Sequence, residues 1–437
     1  MKHDRGKPDR GDGDPDPAAD PAAGSAGADR DPAGAPVGAD PDPAAGSGAR
    51  RGLTPSRRLM PGTSGYFWAL FALGLAAASI GPSLPRLAED RGVSLGAVSI
   101  VFAAYRAGFI LGSLGGGALL DRLRGHALMA GTLLVMAGSL AVIPVLPGLA
   151  FLVIGFLLVG TAAGMVETGG NTLLVWSYGA RVGPYMSGLH FAFGIGAILS
   201  PLFIGQAIAL TGGIEGGFLL SGALILPGAL LFFRAPSPSS PDTQSAEHGP
   251  SRVLPTALIA VFLLLYVAAE AGFGGWIYTF AVRLGLAEPA QAGALTSLFW
   301  GALTVGRLIL VPVSTRVPPG RLLAVSVLGS IVFLGVLSLP AGSRSAELVW
   351  VASAGTGLSM AAVFPSTMSF AGRHMRVTGS VSRWFFVGAG VGGMLVPWAL
   401  GNLVETAGAA SVMPALSAIV VAMAIVLSAL LVVVRRR

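Results

Sequence analysis

The sequence predicts an all-α polytopic membrane protein whose twelve transmembrane helices form two six-helix bundles. Three observations lead to this fold class: charge is scarce after the first 60 residues, twelve long apolar segments follow one another, and the last six segments repeat features of the first six. Backbone groups find no hydrogen-bond partners in lipid, so only helices or closed barrels span it, and the ten-residue alternation of a barrel is absent.

Charge is concentrated near the start of the 437-residue chain. Residues 1–60 hold 9 of the 28 Lys and Arg residues and 10 of the 21 Asp and Glu residues, so about 8% of the rest is charged, against roughly 25% in a soluble domain. This composition excludes a soluble enzyme. The lack of cysteine excludes a disulfide framework, thiolate catalysis and Cys-ligated metal. We expect no enzyme activity, no metal site and no nucleic-acid partner, since most basic residues outside the tail lie between apolar segments.

Residues 1–60 are predicted to be a disordered cytoplasmic tail. Asp, Pro, Ala, Gly and Arg dominate the segment, so it cannot bury enough apolar surface to offset the entropy of ordering it. It also lacks the apolar stretch of a signal peptide. A regulatory or partner-binding tail is the alternative to a dispensable extension, which we favour.

Twelve apolar segments follow, each long enough to cross a hydrocarbon layer of about 30 Å at 1.5 Å per residue. One long polar break predicts a cytoplasmic linker, 235–254, between an N-terminal six-helix bundle, 62–234, and a C-terminal one, 255–434. The predicted segments are 62–85, 97–119, 126–146, 150–176, 184–209, 214–233, 255–282, 291–312, 321–340, 346–370, 379–401 and 410–434.

The arginines indicate how these spans are oriented. With the N-terminus inside, sixteen arginines near the spans lie in cytoplasmic segments and four lie in external ones, which is a strong positive-inside bias. We therefore expect a multi-pass protein of the cell (inner) membrane with both termini in the cytoplasm.

The two sets of six segments share glycine positions at an almost constant offset. Gly196 returns as Gly392, an offset of 196 residues, and Gly112 returns as Gly306, an offset of 194. A duplicated six-helix unit accounts for this pattern. Because six is even, both copies cross the membrane in the same sense and are related by an axis along the membrane normal.

A short motif ends the second predicted span. Gly117-Ala118-Leu119-Leu120-Asp121-Arg122 resembles the Gly-x-x-x-Asp-Arg signature of major facilitator superfamily transporters, although the basic residues that usually follow are displaced. The resemblance implies the major facilitator fold. It also assigns Gly117, Asp121 and Arg122 to a gating motif that latches the inner side in one state; a short loop placed by the positive-inside rule is the alternative.

A narrower resemblance extends from about the fourth to the eighth span. Its motifs are Glu167-Thr168-Gly169-Gly170-Asn171, Pro184-Tyr185-Met186, Leu189-His190-Phe191, Tyr266-Val267-Ala268-Ala269-Glu270, Gly274-Gly275-Trp276 and Leu298-Phe299-Trp300-Gly301. They are similar to those of the sodium-dependent glucose transporter and fucose permease branch. The resemblance implies a hexose or related polyol, symported with Na⁺ or H⁺, with Glu167 and Glu270 as candidate coupling carboxylates.

Four ionisable groups lie well inside predicted spans, where a charge costs about 2.5–3.5 kcal/mol on insertion scales. They are Arg106, Glu167, Glu270 and Arg307. The depths of Arg106 and Glu167 differ by only about 5 Å by helical rise, so an arginine side chain can bridge to the carboxylate. We assign Arg106 and Arg307 to a charge clamp, structural or part of the coupling.

Polar and aromatic side chains surround these charges in the sequence. Glu167 and Asn171 share a helix face at i, i+4, and His190 lies at a comparable depth, so the three predict a polar cluster that faces the substrate. An interhelical hydrogen-bond cluster, with His190 as a packing residue, is the alternative.

The seventh predicted span combines a carboxylate with aromatic rings. Tyr266 and Glu270 share a helix face, and Trp276 follows about 9 Å further along the axis. Aromatic rings cover the apolar C–H surface of a sugar while a carboxylate accepts hydrogen bonds from its hydroxyls. We therefore predict substrate-binding or coupling roles for all three; an interfacial aromatic belt is the alternative for Trp276.

Together these features predict a secondary active transporter that moves a small polar solute, foremost a sugar, by alternating access coupled to Na⁺ or H⁺. No phosphate loop or Rossmann fingerprint is present, which excludes ATP as the energy source. A drug/proton antiporter and a non-transporting membrane sensor are the alternatives. We expect a monomer with no cofactor beyond the coupling ion, partnered by the lipid bilayer and a small-molecule substrate.

Overall fold

The computed structural model describes Met60 and residues 62–120, 122–238, 253–375 and 379–435. The predicted tail, apart from Met60, lies outside these residues, and so does most of the predicted linker. Asp121 of the predicted gating motif is outside them as well.

Fourteen α-helices run through the described residues, which contain no strand. Helices α2 and α3 form one span and α11 and α12 another, so twelve spans are long and apolar enough to cross a membrane. The predicted all-α fold with twelve spans is confirmed. The helices are α1 (Thr63–Arg91), α2 (Leu95–Val98), α3 (Ile100–Leu120), α4 (Gly125–Val142), α5 (Leu149–Tyr178), α6 (Gly183–Thr211), α7 (Glu215–Arg234), α8 (Val253–Arg283), α9 (Pro289–Val313), α10 (Pro319–Ser338), α11 (Ala346–Met360), α12 (Val363–His374), α13 (Gly379–Ala407) and α14 (Val412–Arg435).

Helix α1 continues two turns beyond its predicted end at residue 85. Its charged last turns are stabilised locally, because Arg86 pairs with Asp90 at 2.9 Å and Arg91 donates to the carbonyl of Leu146 at 3.0 Å. Gly92 then ends the helix in the left-handed conformation, at φ 60°, which a glycine adopts without steric cost.

The same glycine-mediated packing occurs in both halves of the molecule. In the first half, a Cβ on Gly196 of α6 would collide with the carbonyl of Phe71 on α1. In the second half, a Cβ on Gly392 of α13 would collide with the carbonyl of Leu264 on α8. Small residues let transmembrane helices approach this closely, so the repeated glycines build two similar bundles, α1–α7 and α8–α14.

The outward surface of the bundles is apolar. Leu114, Leu210 and Val325 are 72%, 80% and 70% exposed, as expected for side chains that contact lipid rather than water. Helix α1 is the most enclosed span and α14 among the least enclosed. The helices that hold the predicted site, α3, α5, α6, α8 and α9, therefore lie around a protein-lined interior.

We call the end of the molecule where α1 begins and α14 ends the inner end, and the end where α1 finishes the outer end. Contacts between the halves concentrate toward the outer end. The positions of a Cβ on Gly81 and on Gly205 lie 2.6 and 2.8 Å from the carbonyls of Gly275 and Pro289 in the other half. This outer seam brings α1 against α8 and α6 against α9.

A polar contact closes the outer seam at a third place. The carboxylate of Glu405 on α13 accepts hydrogen bonds from Ser94 Oγ at 2.7 Å and from the Gly96 backbone N–H at 3.1 Å. Ser99 Oγ donates to the carbonyl of Trp398 at 3.1 Å. The short helix α2 and the break at Ser99 contact α13. The sequence predicted neither of them.

Between the described residues nearer the inner end, no hydrogen bond, ion pair or ring contact joins the two halves. The ring contact nearest that end lies at mid-depth, between Phe193 on α6 and Trp300 on α9. The polar and ring contacts between the halves that the structure shows among the described residues therefore lie at the outer end and at mid-depth.

Candidate substrate cavity between the two halves

The predicted site residues lie at mid-depth, on helices that face the other half. The first half contributes α3, α5 and α6, and the second half contributes α8 and α9. This position follows from the packing: α6 contacts α9 and α3 contacts α13 across the outer seam, so side chains just inward of those contacts border the space between the halves.

In the second half, a hydrogen-bonded network fixes the carboxylate of Glu270. Tyr266 Oη donates to Glu270 Oε1 at 2.7 Å, as the i, i+4 spacing on α8 allows. Arg307 Nη2 on α9 lies 3.6 Å from the same oxygen. Tyr266 is 1% exposed, and only 14% of the Glu270 side chain and 30% of the Arg307 side chain are exposed, so this ion pair is partly enclosed.

In the first half, the carboxylate of Glu167 has no such partner. Within the part of the chain that the structure describes, no ion pair joins it to Arg106 in this conformation, so the charge clamp stays a prediction. The guanidiniums of Arg106 and Arg307 interact with it electrostatically from a longer distance. The direct ion pair forms between Arg307 and Glu270 instead, because α8 and α9 bring those side chains within reach.

Arg106 is held at the boundary between the halves. Its guanidinium lies 5.9 Å from the centre of the Phe109 ring, and its Nε is 3.0 Å from the position of a Cβ on Gly393 of α13. The arginine therefore fills the space that this glycine leaves open. Any movement of α13 against α3 changes the surroundings of Arg106.

The predicted polar cluster of Glu167, Asn171 and His190 does not form as a hydrogen-bonded unit. Asn171 Nδ2 donates to the backbone carbonyl of Glu167 at 2.8 Å, and His190 on α6 interacts electrostatically with Arg307 of the other half. The reason is the packing: α1 lies between α5 and α6 and contacts both along their lengths. All three side chains are half-buried.

The two glycines after Glu167 have a packing role. A Cβ on Gly169 would collide with Met129 Sδ of α4, and a Cβ on Gly170 would lie 2.7 Å from Leu70 Cδ2 of α1. Helix α5 continues without a break from Leu149 to Tyr178. The two glycines therefore allow α4 and α1 to approach α5 closely.

Trp276 packs inside the outer seam in this structure, which gives no support to its predicted role beside the substrate. Its side chain is fully buried, its ring centre lies 6.2 Å from that of Phe102 in the other half, and its Nε1 donates to the carbonyl of Pro397 at 2.9 Å. Trp276 packs the outer seam. Sequence spacing along α8 placed it on the correct helix but could not define its rotation.

Trp300 on α9 packs at the boundary between the halves. It contacts Phe193 across the boundary, with ring centres 6.5 Å apart and planes at 83°. The edge of its indole lies 2.7 Å from the position of a Cβ on Gly274 of α8. The sequence analysis had noted Trp300 only within a motif; the glycine pair before Trp276 was the signal that another large ring packs there.

The inner gating motif is only partly described. Gly117 has open space around the position of a Cβ, and Arg122 is exposed. Asp121 lies outside the described residues, so the predicted latch stays a prediction.

A family model described as Major Facilitator Superfamily matches residues 66–397, which cover most of both bundles. The chain belongs to the major facilitator superfamily. Its twelve spans make it a multi-pass membrane protein, and the members of this superfamily that it matches are transporters, which implies a small-molecule substrate.

Curated relatives and a solved structure agree with this membership. The chain is 30% identical over 360 residues to sodium-dependent glucose transporter 1 of Xenopus laevis, covering 75% of this chain and 73% of the relative. It is 28% identical to sodium-dependent glucose transporter 1A of Mus musculus, covering 77% and 88%. A crystal structure of the nucleoside transporter NupG matches with a TM-score of 0.69 at 14% identity, covering 84% of this chain and 99% of that one, a likeness in fold alone.

Proposed function

We propose that this major facilitator protein is a secondary transporter that moves a sugar by alternating access, coupled to Na⁺ or H⁺. The observation that carries the proposal is the charge arrangement at mid-depth. Two carboxylates and two guanidiniums lie at mid-depth on helices of the two halves, and among the described residues only the carboxylate of Glu270 is held in a direct ion pair.

The charge balance favours an uncharged polar solute. Glu167 and Glu270 are matched by Arg106 and Arg307, so the cavity offers neither an excess of negative charge for a cationic drug nor an excess of positive charge for an anion. Carboxylates and guanidiniums together accept from and donate to hydroxyl groups. The names of the relatives support the same substrate class.

The difference between the two carboxylates supports separate roles. Tyr266 and Arg307 hold Glu270 in place, which suits a group that positions substrate hydroxyls. The carboxylate of Glu167 makes no direct hydrogen bond or ion pair with a described residue. Such a group is available to bind a cation or a proton. We assign the coupling step to Glu167, with Asn171 and His190 on the walls of the same cavity.

The closed outer seam defines the conformation within the proposed cycle. We propose that the inner end faces the cytoplasm, as the distribution of arginines predicts, so that this structure faces inward. Opening of the outer seam and closure of the inner end, where Gly117, Asp121 and Arg122 act as a latch, then expose the cavity to the outside. The protein acts as a monomer in the cell membrane.

Uptake into proteoliposomes tests the proposal. The purified full-length chain is reconstituted, a Na⁺ gradient and then a pH gradient are imposed, and the accumulation of labelled hexoses is measured. We expect at least one gradient to concentrate a hexose, and a matched Glu167→Gln variant to lose that accumulation. Expulsion of a cationic dye without any movement of sugar would instead establish a drug/proton antiporter, and no transport of either would favour a sensor.

A further inference from the structure

One polar group in the cavity region has no partner in this conformation. The indole N–H of Trp300 is inaccessible to solvent and makes no hydrogen bond with any described residue. A buried donor without a partner loses its hydrogen bonds to water and gains none within the protein, which costs free energy. An unpaired buried donor beside a substrate cavity therefore needs an explanation, and an absent hydrogen-bond acceptor supplies one.

The location of Trp300 identifies where that acceptor would enter. Trp300 lies seven residues before Arg307 on α9, so the two side chains share a helix face about 10 Å apart along the axis. On α6, Phe193 lies one turn from His190, the residue that interacts with Arg307. The contact between Phe193 and Trp300 therefore forms the next layer outward from the charged groups, at the closed end of the cavity.

Neighbouring residues hold the indole in this place from both halves. Gly274 of α8 leaves room for its edge, Phe299 lies 5.1 Å away between ring centres, and Phe193 comes from the opposite bundle. Since Phe193 and Trp300 belong to different halves, separation of α6 from α9 at the outer seam would uncover the indole toward the outer side.

We propose that Trp300 is a sugar-binding residue whose Nε1–H donates to a substrate hydroxyl when the outer seam opens. The inference rests on the proposed function, because the acceptor it requires is the hydroxyl oxygen of a polyol. The indole face also covers the apolar C–H surface of a sugar ring. A purely apolar substrate would leave the N–H unpaired in every conformation.

Trp276 provides a matched control on the neighbouring helix. Its N–H is already satisfied by the carbonyl of Pro397, and its ring is fully buried. Replacement of Trp276 by Phe removes a hydrogen bond within the protein, whereas replacement of Trp300 by Phe removes none. The two variants thus separate a structural effect from an effect on substrate binding.

The test measures uptake of hexose and of its monodeoxy analogues into intact cells, which samples the outward-facing site. For Trp300→Phe we expect the KM of hexose to rise about tenfold, as for the loss of one hydrogen bond, with an unchanged Tm of the purified protein. The variant should also stop distinguishing hexose from the one analogue that lacks the bonded hydroxyl. For Trp276→Phe we expect a lower Tm and an unchanged KM.

A second variant guards against loss of the fold. Trp300→His keeps a ring N–H donor and should retain part of the discrimination among the deoxy analogues. If the wild type transports hexoses but Trp300→Phe keeps both its KM and its discrimination, the inference is wrong while the proposed function stands. If the wild type transports none of these sugars, both fail.

Discussion

The two halves of this transporter share a scaffold but differ in their charges. Gly196 and Gly392, related by the internal repeat, bring α6 against α1 and α13 against α8 in the same way. The ionisable residues follow no such relation: the first half has Arg106 and Glu167 without a direct contact, and the second half has Arg307 and Glu270 within 3.6 Å.

This difference shows which features the duplication preserved and which it did not. Close helix packing depends on small residues at fixed positions, and both copies keep them. In the proposed mechanism, one group binds the ion and another holds the substrate, and two identical halves would provide the same chemistry twice. The proposal therefore assigns the two roles to the two carboxylates whose surroundings differ.

The largest expected effect concerns the shared scaffold. Gly196→Ala and Gly392→Ala each place a methyl group against a backbone carbonyl of the neighbouring helix, so each should destabilise the protein by about 3 kcal/mol or more. Both variants should lose folded protein to a similar extent in size-exclusion chromatography and thermal unfolding. Gly138→Ala is the control, because nothing lies within 4 Å of its Cβ position. A loss confined to one half would contradict the shared scaffold.

The second prediction concerns the two acid–base pairs. Arg307→Met should impair stability and transport more than the double change Arg307→Met with Glu270→Gln, because the single change leaves a partly enclosed carboxylate unpaired. The double-mutant cycle of Arg307 and Glu270 should give a coupling energy of about 1–3 kcal/mol. The matching cycle with Arg106→Met and Glu167→Gln should give a smaller coupling energy, since those groups interact only at longer range.

Thermal unfolding of the purified single and double variants measures both cycles. Equal coupling in the two halves would show that Arg106 and Glu167 pair as tightly as Arg307 and Glu270, and would remove the asymmetry on which the assignment of roles depends. A coupling energy near zero for Arg307 and Glu270 would count against the ion pair.

The smallest effect is expected at the outer seam, where repeat-related glycines meet different partners. Gly205 lies against the backbone of α9, whereas Gly401 lies against Ser99 beside the contact of Glu405 with Ser94. Glu405→Ala removes that polar contact and should shift the equilibrium toward the outward-open state by about 1 kcal/mol, roughly fivefold.

Labelling detects the shift, because the chain has no cysteine of its own. Val98 is fully buried in this conformation and belongs to α2, which contacts α13, so a membrane-impermeant maleimide should modify Val98→Cys several times faster when Glu405→Ala is present. Thr406→Ala is the control, since Thr406 donates within its own helix, to the Asn402 carbonyl at 3.0 Å. Equal rates in all three backgrounds would mean that Glu405 does not hold the seam closed.

The sequence predicted the spans well because apolarity and length alone define a transmembrane helix. The sequence placed the end of α1 too early, because the charged residues that follow looked like the end of a span. In the structure these charges are neutralised locally, as Arg86 is by Asp90. The break at Ser99 was missed because it depends on the docking of α13 from the other half, which no local pattern contains.

Of the contacts in the candidate site, the sequence could predict those that form within one helix. Tyr266 and Glu270, four residues apart, do form a hydrogen bond. The partner of Arg307 and the burial of Trp276 depend on how α8, α9 and α13 are rotated against each other. Sequence spacing gives depth along a helix but not that rotation, so it could not predict which of these side chains contact each other.

The most direct test of the account compares Glu167→Gln with Glu270→Gln in two assays on the same proteoliposomes. For Glu167→Gln we predict that gradient-driven accumulation of hexose is lost while exchange of labelled for unlabelled hexose continues, since the amide mimics a carboxylate that has already bound its ion. For Glu270→Gln we predict weaker transport in both assays, because substrate binding itself is impaired. Normal accumulation by Glu167→Gln, or loss of exchange together with accumulation, would contradict the separation of coupling from binding between the two halves.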